Sequence, residues 1–170
     1  MQFMARITRA AKLESRLYEE VKTDKDATSQ ALVVVLLSSL AASLGASTHA
    51  GLGGLVMGGL VALLAWSVWT FLTYVLGAKL FPVSQTSASH RKFWRTLGFA
   101  SAPGMLRVFG AVPGLTGIAF LVAAVWMLIA AVIAVRQTLD FTSTIRAAGV
   151  CVPGWLVHVF LLFFLLLLLG

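Results

Sequence analysis

Acidic side chains are scarce in this chain: six, against 13 lysines and arginines. All but Asp140 lie at or before Asp26, so the rest of the chain carries a single carboxylate. That leaves no acid–base pair for hydrolysis within the apolar part, and the chain is read as non-enzymatic. Cysteine is represented only by Cys151, inside an apolar block. No intrachain disulfide and no cysteine-based metal site can form, and a buried thiol there acts as a small hydrophobe. The three histidines, His49, His90 and His158, are far apart and lack HxxxH or HExxH spacing, which removes the common helical zinc motifs. No Ser-His-Asp or Cys-His arrangement and no glycine-rich phosphate loop after a strand can be read from the spacing. No cofactor is therefore expected from these residues.

What the chain has is apolar length. Hydrophobic residues make up 59% of it and charged residues 11%, in five apolar blocks separated by short polar gaps. A bilayer core of about 30 Å takes roughly 20 apolar residues per helical crossing. The composition thus implies an all-α polytopic membrane bundle of five transmembrane helices, residues 29–170, with little room for a water-soluble domain. The expected crossings run over 29–46, 53–77, 97–112, 116–135 and 149–169. The third is short and contains Gly98, Pro103, Gly104 and Arg107. Proline removes a backbone donor and kinks a helix, so this block is either a kinked crossing or a re-entrant segment packed on the other helices. Ahead of the bundle, residues 1–28 form a cytoplasmic amphipathic helix and linker. Phe3, Ile7, Ala10, Leu17 and Val21 fall on one side of the helix, with Arg9, Lys12, Arg16 and Glu20 on the other. That pattern predicts a helix lying in the headgroup layer, with Glu14 intruding on its apolar side and Arg16 pairing with Glu20 one turn on. The first long apolar block starts only near Ala31, unlike a cleaved signal peptide.

With five crossings, the N-terminal tail, the loop from Lys79 to Arg95 and the link from Arg136 to Arg146 share one face. They hold every lysine and arginine except Arg107. By the positive-inside rule that face is cytoplasmic, with the C-terminus outside. The net charge of +7 is then a topology signal and a contact for anionic lipid, not a nucleic-acid surface. Arg9, Lys12, Arg16, Arg91, Lys92 and Arg95 are the expected cytoplasmic surface.

Within the blocks, Gly54 and Gly58 form a GxxxG pair flanked by Gly59, and Gly98 and Ala102 sit four apart in the third block. Small residues at this spacing let helix backbones approach closely. Arg136, Asp140 and Arg146 are expected to form an interfacial ion-pair cluster that pins the last two helices together. Arg107 is expected to snorkel to the outer headgroups, with an anion site as the alternative. His158, three residues after Trp155, is expected to hydrogen-bond across helices, with a pigment or haem ligand as the alternative.

Several of these segments resemble a known family. Leu17-Tyr18-Glu19-Glu20-Val21, Asp24 and Gln30-Ala31 resemble the start of prokaryotic Yip-family proteins, which share the "Yip-one" domain. Leu97-Gly98-Phe99-Ala100-Ser101-Ala102-Pro103-Gly104 resembles that domain's third-helix motif. Trp126, Ala134-Val135-Arg136-Gln137-Thr138-Leu139-Asp140 and Arg146-Ala147 resemble its fourth-helix and loop motif. The resemblance implies a five-helix domain in a prokaryotic inner (plasma) membrane with its N-terminus in the cytoplasm, and it supplies no catalytic residue. Eukaryotic relatives bind Rab-type GTPases, but this chain has no DLYGP-like motif before its first span, and that role is not carried over.

Adhesive surfaces without a reactive cluster favour a scaffold or accessory subunit that packs with lipids and other integral membrane subunits as a homo- or hetero-oligomer. The rival is a small transporter or channel, with the broken backbone at Pro103-Gly104 and Arg107 lining an anion path. A water-filled, charged cavity reaching Arg107 would favour the rival; a dry, fully packed interior would count against it.

Overall fold

The computed structural model describes residues 2–46, 51–77 and 89–169, except for the side chains of residues 158, 159 and 161–169. Among the described residues every regular element is helical: α1 Gln2–Ala11, α2 Ser15–Thr23, α3 Ala27–Ala46, α4 Gly51–Val75, α5 His90–Ala100, a 3₁₀ segment Ala102–Ala111, α6 Thr116–Thr138 and α7 Thr144–Leu169. Three of them, α3, α4 and α6, are long and apolar enough to cross a membrane, which marks the chain as a multi-pass membrane protein.

The side-chain pattern of α3 and α6 agrees with a lipid environment. Both helices are predominantly apolar, with bulky residues facing out and small ones facing in. On α3, Leu32, Leu36, Leu40 and Leu44 are exposed while Ala31, Ala41, Ala42 and Gly45 are buried. On α6, Ile118, Leu121, Val125 and Ile129 are exposed while Ala123, Ala130, Ala131 and Ala134 are buried. Lipid tails solvate leucine as well as protein does, so helices associate through close backbone approach and dispersion.

The third apolar block is broken, as its composition predicts. The α-helix stops at Ala100, the Ser101 amide turns back onto the Gly98 carbonyl (3.2 Å), and the chain continues as ten residues of 3₁₀ helix with Pro103 near its start. A 3₁₀ segment of that length is unusual, and at a rise of about 2.0 Å per residue it reaches roughly 20 Å. Glycine makes this geometry possible against α3. A Cβ on Gly45 would run into the Arg107 carbonyl oxygen, one on Gly104 into the Ser38 hydroxyl, and one on Gly98 would lie 2.8 Å from the Ala31 Cβ.

Three sequence expectations change. The N-terminal amphipathic helix is two helices, because Leu13 adopts a left-handed conformation (φ 61°) that closes α1. The Leu13 and Glu14 amides bond back to the Ala10 and Arg9 carbonyls, the pattern of a Schellman stop, with leucine where glycine is usual. The resulting hairpin turns its apolar side onto the bundle. Leu17, Tyr18 and Val21 are fully buried in one apolar cluster with Phe93, Leu97, Val135 and Leu139. Trp126, halfway along α6, donates to the Ala11 carbonyl at 2.9 Å, and Lys22 donates to the Gln137 carbonyl at 2.8 Å, so the hairpin covers the C-terminal half of α6. The polar loop is shorter than expected: α5 already starts at His90, because Phe93 and Leu97 bury on the hairpin. The last helix starts at Thr144, five residues before the expected Gly149, and carries Pro153 within it.

Candidate functional site

A cavity of about 620 Å³ opens over the inner faces of α3 and the 3₁₀ segment. Its walls are α4, which packs on α3 and α7, and α6, which packs on the 3₁₀ segment and α7; the two walls hardly touch each other. The space exists because the facing positions are small: Ala42 and Ser39 on α3, Gly58, Ala62 and Ala65 on α4, Ala124 on α6. Trp66, Trp69 and Trp155 line it as well, and Val61 and Leu121, 48% and 66% exposed, stand at its rim. Its volume is that of a small-molecule site, within the usual range of about 300–1,000 Å³.

Arg107 reaches into this cavity. Its side chain turns back into the bundle and does not snorkel outward: Nη2 lies 3.1 Å from the Met127 sulfur, and the guanidinium carbon sits 5.7 Å from the centre of the Phe120 ring. Thioether sulfur is a weak acceptor, and an aromatic face balances only part of a partly buried positive charge. The Arg107 Nε is enclosed without an acceptor, as are the Trp66 and Trp69 indole N–H groups. No acidic side chain lines the cavity. None is available beyond Asp26 except Asp140, whose Oδ1 accepts from Lys22 at 2.6 Å where the hairpin meets the end of α6. Ser38, Ser39, Ser43 and Ser101 complete the polar lining. Two of these hydroxyls donate within the bundle, Ser43 to the Leu55 carbonyl (2.8 Å) and Ser101 to the Gly98 carbonyl. The cavity therefore presents one positive charge and buried donors on apolar walls.

The expected cluster of Arg136, Asp140 and Arg146 does not form. α6 ends at Thr138 and Asp140 adopts a left-handed conformation (φ 52°), so the one-turn spacing to Arg136 is lost. Arg136 instead donates to the Phe141 carbonyl (3.4 Å) and the Thr144 hydroxyl (3.1 Å), and Arg146 is exposed.

The expected cytoplasmic surface splits. Lys12, Arg16 and Arg91 are exposed. Arg95 is only 8% exposed and donates to the Thr28 hydroxyl (2.9 Å) and the Lys22 carbonyl (3.2 Å), because α5 turns it toward the start of α3. Lys92 is partly buried on the same helix. Arg9 joins an ion-pair knot that ties the hairpin together. It holds Glu14 with two bonds (3.0 and 3.1 Å) and the Glu20 Oε2 at 2.7 Å, while Arg6 holds the Glu20 Oε1 at 2.6 Å, Asp24 at 2.8 Å and Gln30 at 2.9 Å. Glu20 is thus taken by Arg6 and Arg9, not by Arg16.

Among the packing residues, Gly58 meets the Ser43 side chain, Gly59 meets Leu40, Gly98 meets Ala31, and Ala102 is buried. Gly54 is half-buried on α4. Two further close approaches were not among the expected ones: Gly45, whose Cβ would meet the Arg107 carbonyl, and Gly110, with a Cβ lying 2.8 Å from the Gly45 carbonyl oxygen. Gly45 is the single glycine of α3 and has no GxxxG partner, so the usual signal is missing there. The side chain of His158, and His49 altogether, lie outside the described residues. Among the described residues no three His, Cys, Asp or Glu side chains converge. Comparison with protein-family models, with curated proteins and with solved structures finds no match to this chain.

Proposed function

We propose that this protein is a small membrane carrier or channel that holds an anionic solute at Arg107 inside its helical bundle. The observation that carries the reading is the cavity around an Arg107 guanidinium that no carboxylate of the chain neutralises. A partly buried cation gains from a counter-charge, broken helices near mid-membrane commonly build ion and substrate sites, and an intramembrane charge is by default a candidate functional site.

In the same proposal the bundle crosses the membrane five times, with α5 and the 3₁₀ segment together forming the third crossing and α7 the fifth. The N-terminus is cytoplasmic, as the distribution of lysine and arginine favours, and the resemblance to prokaryotic Yip-family proteins favours an inner membrane. The accessory-subunit reading has less behind it. The apolar side of the N-terminal segment, which would have docked other chains, packs on α5 and α6.

The test is transport by the purified protein in liposomes, with a panel of anions from chloride, inorganic phosphate and acetate to octanoate and palmitate. Protein-dependent movement of at least one of them is expected, slowed tenfold or more in Arg107→Ala. Movement of none, or movement indifferent to Arg107→Ala, rejects the reading.

A further inference from the structure

Resting on that reading, we infer that the solute is a membrane-borne amphiphile, a single anionic oxyacid head on a hydrocarbon tail, seated with its head on Arg107 and its tail along the apolar walls between α4 and α6.

The head follows from the donors. Arg107 Nε, Trp66 Nε1 and Trp69 Nε1 are enclosed without acceptors and belong to residues lining one cavity. Buried N–H groups without acceptors are rare because leaving them unmet is costly. A carboxylate or a phosphate brings several acceptor lone pairs and negative charge, and the planar guanidinium fork suits both. One cation without a second nearby fits a head of low charge.

The tail follows from the walls. Apart from Arg107, the serines and the indole N–H groups, the lining is hydrocarbon and aromatic: Val35, Val61, Ala65, Leu121, Ala124 and Leu128 among others. A small hydrated anion would leave that surface against water, whereas a hydrocarbon chain covers it. The shape is also elongated. The lining on α3 extends from Val35 to Ala46, about 16 Å along the axis at 1.5 Å per residue.

The route follows from the rim. Val61 and Leu121 are at once lining residues and among the exposed apolar residues of the bundle's flank. α4 and α6 hardly touch, so the opening between them faces the hydrocarbon side of the bundle. A solute already dissolved in the bilayer reaches Arg107 through this gap without crossing water.

Dibromostearic acid tests this directly, because bromine quenches tryptophan fluorescence on contact and Trp66 and Trp69 line the cavity. The probe is titrated into the full-length protein in nanodiscs, beside its neutral methyl ester and a brominated lysophosphatidate. Saturable quenching by the acid or by the lysophosphatidate is expected, and which of the two binds tells whether the head is a free carboxylate or a lipid phosphate. The ester should give only the non-saturable quenching of bulk partition. Arg107→Gln should weaken the saturable phase tenfold or more and Arg107→Lys should restore part of it. Ala65→Trp, which fills the cavity and keeps Arg107, should abolish it in a protein that still elutes as a folded species. Equal quenching by ester and acid, or a saturable phase unchanged in Arg107→Gln and in Ala65→Trp, overturns the inference. If acetate or inorganic phosphate binds and moves through the protein in an Arg107-dependent way while neither brominated anion binds, the amphiphile is wrong and the anion carrier stands. If no anion of either kind binds or moves, both fall.

Discussion

Tyr18 and Asp140 show how single residues hold the hairpin in place. Tyr18 is fully buried, its hydroxyl has no partner, and burial raises its pKa above the usual phenol range. Its ring is useful to the core and its oxygen is not. Tyr18→Phe is therefore expected to raise stability by about 1 kcal/mol, the lower end of the cost of a buried unmet hydroxyl, read as a higher midpoint in thermal unfolding of the detergent-solubilised protein. Asp140 does two things: it takes the left-handed position that ends α6, and its carboxylate accepts from Lys22. Asparagine tolerates that conformation and loses only an ion pair whose aspartate is half exposed, so Asp140→Asn should cost under about 1 kcal/mol. Asp140→Val should cost about 1–2 kcal/mol more, from the left-handed backbone alone. Equal losses in the two variants would show that the backbone position is not restrictive. The same residues explain what sequence reading misses. Leu13 and Asp140 end their helices with a stop that normally announces itself by glycine; without glycine, helical periodicity runs on through both.

At the scale of elements, the decisive contact is α3 against the broken third block. Gly45 admits the Arg107 carbonyl, Gly104 admits Ser38, and Gly98 admits Ala31. Even a methyl group at Gly45 meets backbone that cannot rotate away. Gly45→Ala is expected to cost about 1–3 kcal/mol or more through overpacking, whereas Gly53→Ala, with open space around its Cβ position, should be neutral. The fraction of monodisperse protein in detergent chromatography separates the two, and an unchanged Gly45→Ala profile would refute the close approach. Apolar length and composition sufficed to place α3, α4 and α6 within a few residues, and Pro103-Gly104 marked the break in the third block. The pairing of that block with α3 through isolated glycines was not legible, since it depends on which faces meet. Arg107 was legible as an odd charge in an apolar block. Its turn toward Phe120 and Met127, and the space beside it, depend on small residues from three separate helices.

For the whole molecule, the question is what keeps a charged hairpin against an apolar bundle. Leu17, Tyr18 and Val21 supply the apolar contact, and the ion-pair knot satisfies the charges that would otherwise oppose it. Hydrogen bonds from Arg9 and then Arg6 hold the Glu20 carboxyl below its usual range, and Arg9 does the same for Glu14. Asp24 is lowered by Arg6 and by the Asp26 amide. Such groups bind fewer protons in the docked state than in the released one, so the stabilisation is fully present above the ordinary carboxylate value of about 4 and fades as the pH falls through the depressed values. Lys22 moves the other way: burial opposes its charge, but bonds to Asp140 and Glu19 raise it on balance, and its contribution is lost only in strong alkali. The hairpin should thus remain docked across neutral pH and release in acid. Amide exchange of residues 15–23 in nanodiscs, followed from pH 7 down to pH 3, should lose protection at the acid end. Arg6→Met, which keeps the packing volume of a buried side chain but leaves Glu20 with one partner fewer and Asp24 without its arginine, should move that loss to higher pH. The shift follows because both carboxyls then protonate closer to their unfolded values. If the exchange midpoint of Arg6→Met coincides with that of the unaltered protein, the hairpin is held by apolar burial alone and the ion-pair knot is incidental to its docking.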